Sequence, residues 1–482
     1  MHEALARDRG EAEQDVFLAF VSRNGIGNSR AFAAWPPSPH GRGEANGNVE
    51  DADAKMPDGR RNRREFLGTA IASAAAAAVF PAPAIAQGAG PNIVVVGGGF
   101  AGASCARALK QTDSRLAVTL VEANKTFVAC PLSNAVIAGL RDFKLQQFGY
   151  DKLAALGVSL AFAAATAFDP HARTVTLADG SMRSYDRLVL APGIDLRWNA
   201  LPGYDEGASV QIPHAWKDGE QILLLRKQLE AMPDGGVVVL SAPVNPARCP
   251  PAPYERACLI AHYLKIHKPR AKVILLDAKD TFSMQRLFQN AWKELYAGRL
   301  EWVALSSGGN VTSVEVKTRT LVTDFDRFTA DVANVIPPQR AGRVADLAGV
   351  ADRTGWCPVD PMTFESKLQR RIHVIGDAAI AGAMPKSASA ANAEAKLCAA
   401  AIIKLLNGEP SPAPVLLSTC YSLIAPDYAI SINGTYRPAD DQFVEVAGAG
   451  GTSPIDAPRS VRAREAAASE GWFDAVTREI YG

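Results

Sequence analysis

The chain has 482 residues, of which 48% are apolar and 21% are charged, and its formal net charge is +1 at pH 7. This length suffices for two or three domains of about 100–200 residues, each with a hydrophobic core. The near-neutral charge, without a stripe of Lys and Arg, argues against a nucleic-acid-binding protein. Seven cysteines are too few for a disulfide scaffold, and their odd number leaves at least one unpaired within the chain.

The N-terminal part of the chain has the pattern of an export signal. A basic stretch with Arg63 and Arg64 precedes a run of small residues that ends in the cleavage pattern Ala-Ile-Ala at 84–86. The arginine pair resembles a twin-arginine signal, which predicts export to the periplasm by the twin-arginine route. We expect residues 1–87 to comprise a spurious extension before a true start at Met56, followed by the signal peptide.

A membrane anchor is the alternative to a signal peptide. The Ala-rich stretch is short and weakly apolar for a span of ~20 residues, which disfavours an anchor. No later segment offers a long apolar run, so we expect no transmembrane anchor in the mature chain.

The next segment follows the pattern of a dinucleotide-binding βαβ unit: a buried strand, a glycine-rich loop, a helix, and a second strand that ends in an acid. The glycines of the G-x-G-x-x-G loop are Gly97, Gly99 and Gly102, and the acid is Glu122. The first glycine makes a tight turn, the second lets the backbone approach a pyrophosphate, and the third lets helix and strand pack closely. The acid can accept hydrogen bonds from ribose hydroxyls.

Two later segments indicate that the nucleotide is FAD. A predicted strand that ends at Gly193 resembles the returning strand of flavoproteins with two dinucleotide domains. A second predicted strand ends in Gly376 and Asp377, at the place where the Asp of those flavoproteins binds the ribityl chain. The N-terminus of a predicted helix over 388–406 can stabilise negative charge on a reduced flavin ring. Lys386, beside this helix, is a candidate to hold charge near flavin N1.

A second Rossmann-like unit is predicted from strands over 236–241 and 272–277 and a helix over 255–267. The loop after its first strand lacks the expected glycines, and Pro243 and Pro246 remove amide donors that a phosphate would need. We therefore expect the fold of a nucleotide-binding unit without an NAD(P)H site.

The cysteines divide into structural and chemical candidates. Three lie on predicted helices with apolar neighbours and are expected to be buried and inert: Cys105, Cys258 and Cys398. Cys130 lies in a loop that, in this class of fold, crosses the dimethylbenzene edge of the flavin. Cys249 replaces the phosphate loop ahead of a helix N-terminus, a position that lowers a thiol pKa. Either Cys420 or Cys357 is its candidate partner.

Six unusual strings are spread over most of the chain: Pro213-His-Ala-Trp-Lys, Arg226-Lys-Gln-Leu-Glu, Cys249-Pro-Pro-Ala-Pro-Tyr-Glu-Arg, Ile336-Pro-Pro-Gln-Arg-Ala-Gly, Gly355-Trp-Cys-Pro-Val-Asp and Thr419-Cys-Tyr-Ser. They resemble the flavin-binding subunit of flavocytochrome c sulfide dehydrogenase, a family that includes the flavoprotein of the Sox sulfur-oxidising system. The expected fold is therefore α/β, with two Rossmann-like dinucleotide-binding domains of the glutathione-reductase-like flavoprotein type and a C-terminal interface domain. The expected boundaries are 88–205 with 330–408 for the discontinuous FAD domain, 206–329 for the second Rossmann-like domain, and 409–482 for the C-terminal domain.

The resemblance also implies roles for single residues. FAD would be bonded covalently to Cys130, although Pro131 stands where some relatives have Tyr, and Cys249 and Cys420 would form a redox-active disulfide. Trp472 resembles an aromatic residue that closes the family's active site.

A mechanism follows as a hypothesis. Hydrosulfide attacks the disulfide, and the electrons leave singly by way of FAD to a c-type cytochrome partner. The chain has no Cys-x-x-Cys-His, so haem c is expected only on that partner, and no metal site is predicted. Glu255 is a candidate for managing protons, with a solvated helix-start carboxylate as the alternative.

Three other functions are alternatives for a chain with these motifs. A sulfide:quinone oxidoreductase would share the FAD and the cysteine pair, but should carry amphipathic C-terminal helices; here the C-terminus is broken by prolines, with a short predicted helix over 460–470. A type II NADH dehydrogenase is disfavoured by the lost glycine loop. An accessory flavoprotein that reactivates a sulfur-oxidising complex stays open.

Overall fold

The computed structural model describes residues 90–217 and 219–482. The predicted signal peptide and the start at Met56 lie outside these residues.

The first part of the described chain forms most of one Rossmann unit and a small antiparallel sheet. Its strands are β1 (Asn92–Val96), β2 (Ala117–Val121), β3 (Phe127–Val128), β4 (Gln147–Phe148), β5 (Ser159–Ala161), β6 (Ala165–Asp169), β7 (Thr174–Leu177), β8 (Met182–Ser184), β9 (Arg187–Leu190) and β10 (Ile194–Leu196). Its helices are α1 (Phe100–Thr112), α2 (Ser133–Ile137) and α3 (Asp151–Ala155).

The middle part forms the second unit. Its helices are α4 (Gly219–Ala231), α5 (Ala252–His267) and α6 (Gln285–Leu295). Its strands are β11 (Val237–Ala242), β12 (Lys272–Asp277), β13 (Leu300–Val303), β14 (Val311–Glu315), β15 (Thr320–Thr323), β16 (Arg327–Thr329) and β17 (Val332–Val335).

The last part returns to the first unit and then adds a long hairpin and a helix. Its strands are β18 (Gln339–Ala341), β19 (Cys357–Pro358), β20 (Ile372–Val374), β21 (Ala379–Ile380), β22 (Leu416–Ala425), β23 (Tyr428–Ala439), β24 (Gln442–Glu445) and β25 (Gly451–Thr452). Its helices are α7 (Val344–Leu347), α8 (Ala388–Asn407) and α9 (Arg459–Tyr481). Short 3₁₀ helices span Phe143–Gln146, Ala208–Val210, Leu305–Ser307 and Gly376–Ala378.

Two parallel sheets organise the molecule. The first has the strand order β20-β9-β1-β2-β5, and the second has the order β13-β12-β11-β17. Their central strands are continuous apolar runs, as expected for parallel strands covered on both faces. The carboxyl ends of β1, β9 and β20 share one edge of the first sheet, and in such sheets ligands bind at that edge.

Helices α1 and α8 pack against each other next to the first sheet. Helix α8 begins at Ser387, whose hydroxyl accepts a hydrogen bond from the Ala390 N–H (3.2 Å), and ends at Gly408, which has a left-handed φ of 72°. These are the capping residues that such a helix requires. The cap places the N-terminus of α8 next to the Gly376 turn.

The expected boundary of the second unit at residue 329 is too early. Strand β17 pairs in parallel with β11, from Val238 opposite Val332 to Ser241 opposite Val335, so the second sheet extends past that boundary. The antiparallel pair of β10 and β18 then leads back towards the first unit.

The C-terminal helix is longer than predicted. Instead of a short helix over 460–470, α9 runs for 23 residues, and Gly471 does not interrupt it. It packs on β22, β23, α1 and α3, and this tertiary contact compensates for the weak helix propensity of glycine. No helix in the described ranges is long and apolar enough to cross a membrane.

Candidate functional site

A cavity of about 700 Å³ lies at the edge where β1, β9 and β20 end. Of the predicted site residues, it is lined by Gly97, Gly99, Glu122, Cys130, Gly193, Cys249, Glu255, Gly376, Asp377, Cys420 and Trp472. Folding therefore brings together residues from both Rossmann units and the C-terminal part. Gly102 and Lys386 are not among the lining residues.

The glycine-rich loop has the geometry that its sequence predicts. Gly97 has a φ of 102°, and a Cβ there would lie 2.3 Å from the Ala191 carbonyl oxygen. A Cβ at Gly102 would lie 1.8 Å from the Gly97 oxygen, so this glycine allows the close packing of helix and loop. Glu122 accepts a hydrogen bond from the Gly98 N–H at 2.7 Å and thereby braces the loop.

The cavity fits a flavin dinucleotide. Gly193 lines it with a φ of 62°, and nothing lies within 4 Å of where its Cβ would be, so a side chain there would enter open space. The Oδ1 atom of Asp377 is buried and has no hydrogen-bond partner among the described residues. Burial raises the pKa of Asp377, against the lowering effect of Arg248 and Lys386. Such an acceptor suits a ligand hydroxyl of the kind that a ribityl chain carries.

Three cysteines from distant segments line the same cavity. Cys130 lies between β3 and α2, Cys249 between β11 and α5, and Cys420 on β22. Each is partly accessible, and each is a free thiol in the structure. Cys357 is fully buried and does not line the cavity, so the structure favours Cys420 as the neighbour of Cys249.

The remaining cysteines are buried, as predicted. Cys105, Cys258 and Cys398 each have no exposed surface. Cys105 and Cys398 interact between helices α1 and α8, in the core of the first unit.

The predicted low pKa of the Cys249 thiol is wrong. Burial raises its pKa well above the ordinary value, and the negative charges of Cys420, Glu255 and Cys130 add to this effect. Only Arg248 lowers it. Desolvation therefore outweighs the nearby start of α5, because a thiolate loses more by leaving water than it gains from a helix dipole.

The loop around Cys249 is held in a strained conformation. Cys249 has a left-handed φ of 51°, its N–H donates to the Lys386 carbonyl at 2.8 Å, and its carbonyl accepts from the Ala252 N–H at 2.9 Å. A non-glycine residue in this region of φ costs energy and is found most often at functional sites.

Lys386 lies next to the cavity but does not line it. Its ammonium donates to the carbonyls of Asp377 and Ala379, both at 2.8 Å, and lies 4.1 Å from the centre of the Trp356 ring. It therefore stabilises the Asp377 turn from outside the cavity, while its backbone holds Cys249.

Glu255 is not a solvated carboxylate. It is 8% exposed, and it accepts a hydrogen bond from the Asn134 side-chain amide at 2.9 Å. Burial raises the pKa of Glu255 to about 7, although this hydrogen bond and the Arg256 charge oppose the rise. The carboxyl group therefore exchanges protons near neutral pH.

Sequence reasoning missed three polar residues around this carboxyl group and the cysteines. Asn134 accepts from Arg256 Nε at 2.9 Å, which orients its amide toward Glu255. Arg248 lines the cavity, donates to the Trp216 carbonyl, and lowers the pKa of Cys130, Cys249 and Asp377. The place of Arg248, directly before Cys249 in an unusual loop, is the one sequence signal that pointed to it.

Helix α9 closes the other side of the cavity. Trp472 lines the cavity, and Tyr481, at the end of α9, donates from its hydroxyl to the Gly98 carbonyl at 3.1 Å. The Tyr481 ring stacks on Phe127 and Phe148, with ring centres 5.4 and 5.3 Å apart. The helix therefore contacts the dinucleotide loop directly.

The acidic residue at the end of the second strand of the second unit accepts hydrogen bonds from protein side chains. Asp277, at the end of β12, accepts from the Tyr254 hydroxyl at 2.7 Å, from Trp302 Nε1 at 3.1 Å and from the Lys279 ammonium at 2.7 Å. The Tyr254 ring stacks on Phe282, with ring centres 3.6 Å apart. The Asp277 carboxylate is therefore bonded to three protein side chains.

Three family models match different parts of the chain. Residues 91–235 match "pyridine nucleotide-disulphide oxidoreductase", residues 222–337 match "sulfide dehydrogenase [flavocytochrome c] flavoprotein chain, central", and residues 412–481 match "flavocytochrome c sulphide dehydrogenase, flavin-binding".

Solved structures share the fold. The sulfide:quinone oxidoreductase of Aquifex aeolicus aligns with a TM-score of 0.64 and 17% identity, over 81% of this chain and 92% of that one. A putidaredoxin reductase aligns with a TM-score of 0.59 and 19% identity, over 81% and 94%. The fold and the glycine-rich loop define the class: the chain has the fold of flavoprotein oxidoreductases, with two Rossmann-like units.

Similarity to curated relatives identifies the family within this class. The mitochondrial sulfide:quinone oxidoreductase of Mus musculus is 24% identical over 295 residues, or 59% of this chain and 65% of that protein, just under two thirds of its length. The sulfide dehydrogenase flavoprotein chain of Chlorobaculum thiosulfatiphilum is 59% identical over 45 residues, or 9% of this chain and 94% of that sequence. The chain belongs to the family of flavocytochrome c sulfide dehydrogenase flavoproteins.

Proposed function

We propose that the protein oxidises sulfide, with Cys249 and Cys420 as its redox pair and FAD bonded to Cys130, and passes electrons to a c-type cytochrome. The observation that carries this proposal is that three cysteines from separate segments line one cavity with the dinucleotide loop. The names of the relatives, which act on sulfide, support the choice of substrate.

FAD supplies an acceptor for an electron pair that can afterwards be released as single electrons. The glycine loop with Glu122 would hold its phosphates and ribose, and Asp377 its ribityl chain. The Cys130 thiol, which lines the same cavity, is available for the covalent bond. Its pKa is raised by burial and lowered by Arg248.

The first chemical step belongs to the cysteine pair in its oxidised form. Hydrosulfide attacks one sulfur of the Cys249–Cys420 disulfide, so the bond between the two cysteines breaks and a new S–S bond forms. One cysteine becomes a persulfide, and the other leaves with the electron pair as a thiolate.

Glu255 accepts the proton of the persulfide in this proposal. Its carboxyl group is buried near Cys249, with a pKa raised by burial to about 7, so it is present in both protonation states near neutral pH. Asn134 holds Glu255 through the hydrogen bond to Oε1.

Acid precipitation of the purified protein tests the covalent bond. Yellow colour should stay with the wild-type pellet and leave the pellet of Cys130→Ser. Cys398→Ser, which removes a buried thiol outside the cavity, is the control and should keep its colour. Release of flavin from the wild-type protein would contradict the proposed covalent bond to Cys130.

Sulfide-dependent reduction of cytochrome c tests the reaction. Cys249→Ser and Cys420→Ser should each lose turnover while keeping bound flavin. Unchanged turnover in either variant would contradict the proposed redox pair. Absence of turnover in the wild type would support an accessory flavoprotein.

A quinone acceptor is the second candidate, because relatives in sequence and in structure are sulfide:quinone oxidoreductases. The same preparation should reduce cytochrome c and leave a soluble quinone oxidised. Faster reduction of the quinone would select this alternative.

The proposed periplasmic location depends on the signal with Arg63 and Arg64. The mature N-terminus should lie near residue 88 in a periplasmic fraction. A strain without the twin-arginine translocase should retain the precursor in the cytoplasm.

A further inference from the structure

A second, much smaller cavity lies on the other side of the Cys249 loop. Its volume is about 30 Å³, and its lining includes Pro243, Arg248, Cys249, Lys279, Phe282 and Ser283. Cys249 and Arg248 line both cavities. The small cavity lies next to the carboxyl ends of β11 and β12, where the second Rossmann unit of this fold class takes its ligand.

The small cavity cannot hold a nucleotide. A volume of about 30 Å³ is comparable to the share of one water molecule in the liquid. The stacked rings of Tyr254 and Phe282 and the hydrogen bonds around Asp277 occupy the neighbouring space. A ligand of one heavy atom is the class that fits.

Lys279 gives this cavity a preference for an anion. Its side chain is 15% exposed, and its ammonium donates to the Pro243 carbonyl and to Asp277 Oδ1, both at 2.7 Å. An ammonium has three donors, so one is left for a ligand. The Asp277 carboxylate is shared among Lys279, Tyr254 and Trp302, which disperses its negative charge.

We infer that this cavity, the Lys279 port, is the route by which hydrosulfide reaches the redox pair, and that it directs the attack to the sulfur of Cys249. This inference rests on the proposed function. Hydrosulfide bonds to Cys249, the Cys249–Cys420 bond breaks, and its electron pair leaves on Cys420. The products are a Cys249 persulfide and a Cys420 thiolate, and no other oxidant is consumed.

Trapping of the persulfide tests the direction of attack. The oxidised holoprotein is mixed anaerobically with less than one equivalent of sulfide, quenched rapidly with an alkylating reagent, and digested for mass spectrometry. The additional sulfur should be on the Cys249 peptide. Its presence on the Cys420 peptide would overturn the inference while leaving sulfide oxidation intact, and its absence from both would overturn the proposed function as well.

Substitutions in the port test the route. Lys279→Gln removes the cation, and Ser283→Trp fills the cavity without replacing Lys279 or either cysteine. Each variant should raise the KM for sulfide about tenfold and leave kcat nearly unchanged. Lys279→Gln loses a charge-assisted hydrogen bond to the substrate, and Ser283→Trp blocks the access of the substrate, and both losses precede the chemical step.

Lys293→Gln, at an exposed position on α6, is the matched control and should leave KM unchanged. Flavin absorbance and the melting temperature show whether each variant is folded, and Ser283→Trp keeps the test valid if Lys279→Gln does not fold. An unchanged KM in a folded Ser283→Trp variant would overturn the port, whereas a wild type without sulfide turnover would contradict the proposed function itself.

Discussion

Glu255 and Glu394 are two buried carboxyl groups whose pKa is raised by burial to about 7 and about 8. Glu394, on α8, is 2% exposed and accepts a hydrogen bond from the Gly376 N–H at 2.7 Å. Burial raises the pKa of Glu394 to about 8, although the Gly376 hydrogen bond and the Lys386 charge lower it. The turn that carries Asp377 therefore depends on a carboxyl group that is largely protonated at neutral pH.

The first prediction concerns this residue. Because its pKa is higher in the folded than in the unfolded state, Glu394 stabilises the fold fully below pH 4.5, and this contribution is lost as the pH rises through about 8. The loss is on the order of 5 kcal/mol. In Glu394→Gln, the free energy of unfolding in urea should vary less between pH 5 and 9. Glu301→Gln, at an exposed site, is the control, and equal slopes in Glu394→Gln and wild type would contradict the prediction.

The second prediction concerns two glycines with similar backbone conformations. Gly97 and Gly180 both have positive φ, but a Cβ at Gly97 would lie 2.3 Å from a carbonyl oxygen, and one at Gly180 would meet nothing within 4 Å. Gly180→Ala should cost about 1 kcal/mol of stability and keep its flavin. Gly97→Ala should be isolated without flavin, as measured by absorbance. A flavin-loaded Gly97→Ala protein would show that the loop tolerates displacement.

At the residue scale, the sequence predicted what depends on local spacing. The glycine loop and its acid could be recognised because strand, loop and helix are adjacent in the chain. The Asn134–Glu255 and Gly376–Glu394 hydrogen bonds could not, because 121 and 18 residues separate their partners. The pKa of Cys249 was predicted with the wrong sign because burial, which dominates it, is a tertiary property.

At the scale of elements, the C-terminal helix is the feature that the sequence described least well. A polar C-terminus broken by prolines predicted a short helix over 460–470, whereas α9 extends over Arg459–Tyr481. Its last buried side chain, Tyr481, contacts the dinucleotide loop at Gly98. The end of the described chain therefore stabilises the start of the first Rossmann unit.

The third prediction tests this contact. Tyr481→Ala removes a ring that is 5% exposed and stacked on Phe127 and Phe148, and should lower the free energy of unfolding by about 3–5 kcal/mol. Tyr481→Phe loses only the hydrogen bond to Gly98 and should cost about 1 kcal/mol. Urea unfolding of both variants checks this order. Equal losses would mean that the hydroxyl, rather than the ring, holds α9.

At the scale of the molecule, two Rossmann-like units have diverged. In the first unit, the glycine loop lines a cavity of about 700 Å³. In the second unit, Tyr254 and Phe282 occupy the corresponding position, and the cavity there has a volume of about 30 Å³. Cys249 lines both the large cavity and the small one.

The fourth prediction follows from this asymmetry. NADH at millimolar concentration should leave the flavin absorbance of the holoprotein unchanged, because Asp277 is already bonded to Tyr254, Trp302 and Lys279. Sulfide, and dithionite as a control, should bleach it. Bleaching by NADH would show that the second unit still binds the nucleotide.

The sequence by itself determined the two Rossmann-like units, the dinucleotide loop, the loss of the second glycine loop and the family, since these depend on local patterns of strand, glycine and proline. Only the tertiary structure decided that Cys420 rather than Cys357 lies with Cys249, that Glu255 is buried, and that Lys386 supports the Asp377 turn from outside the cavity. The physical reason is that burial and contacts across long sequence separations set accessibility and pKa, and neither is encoded in the spacing of neighbouring residues.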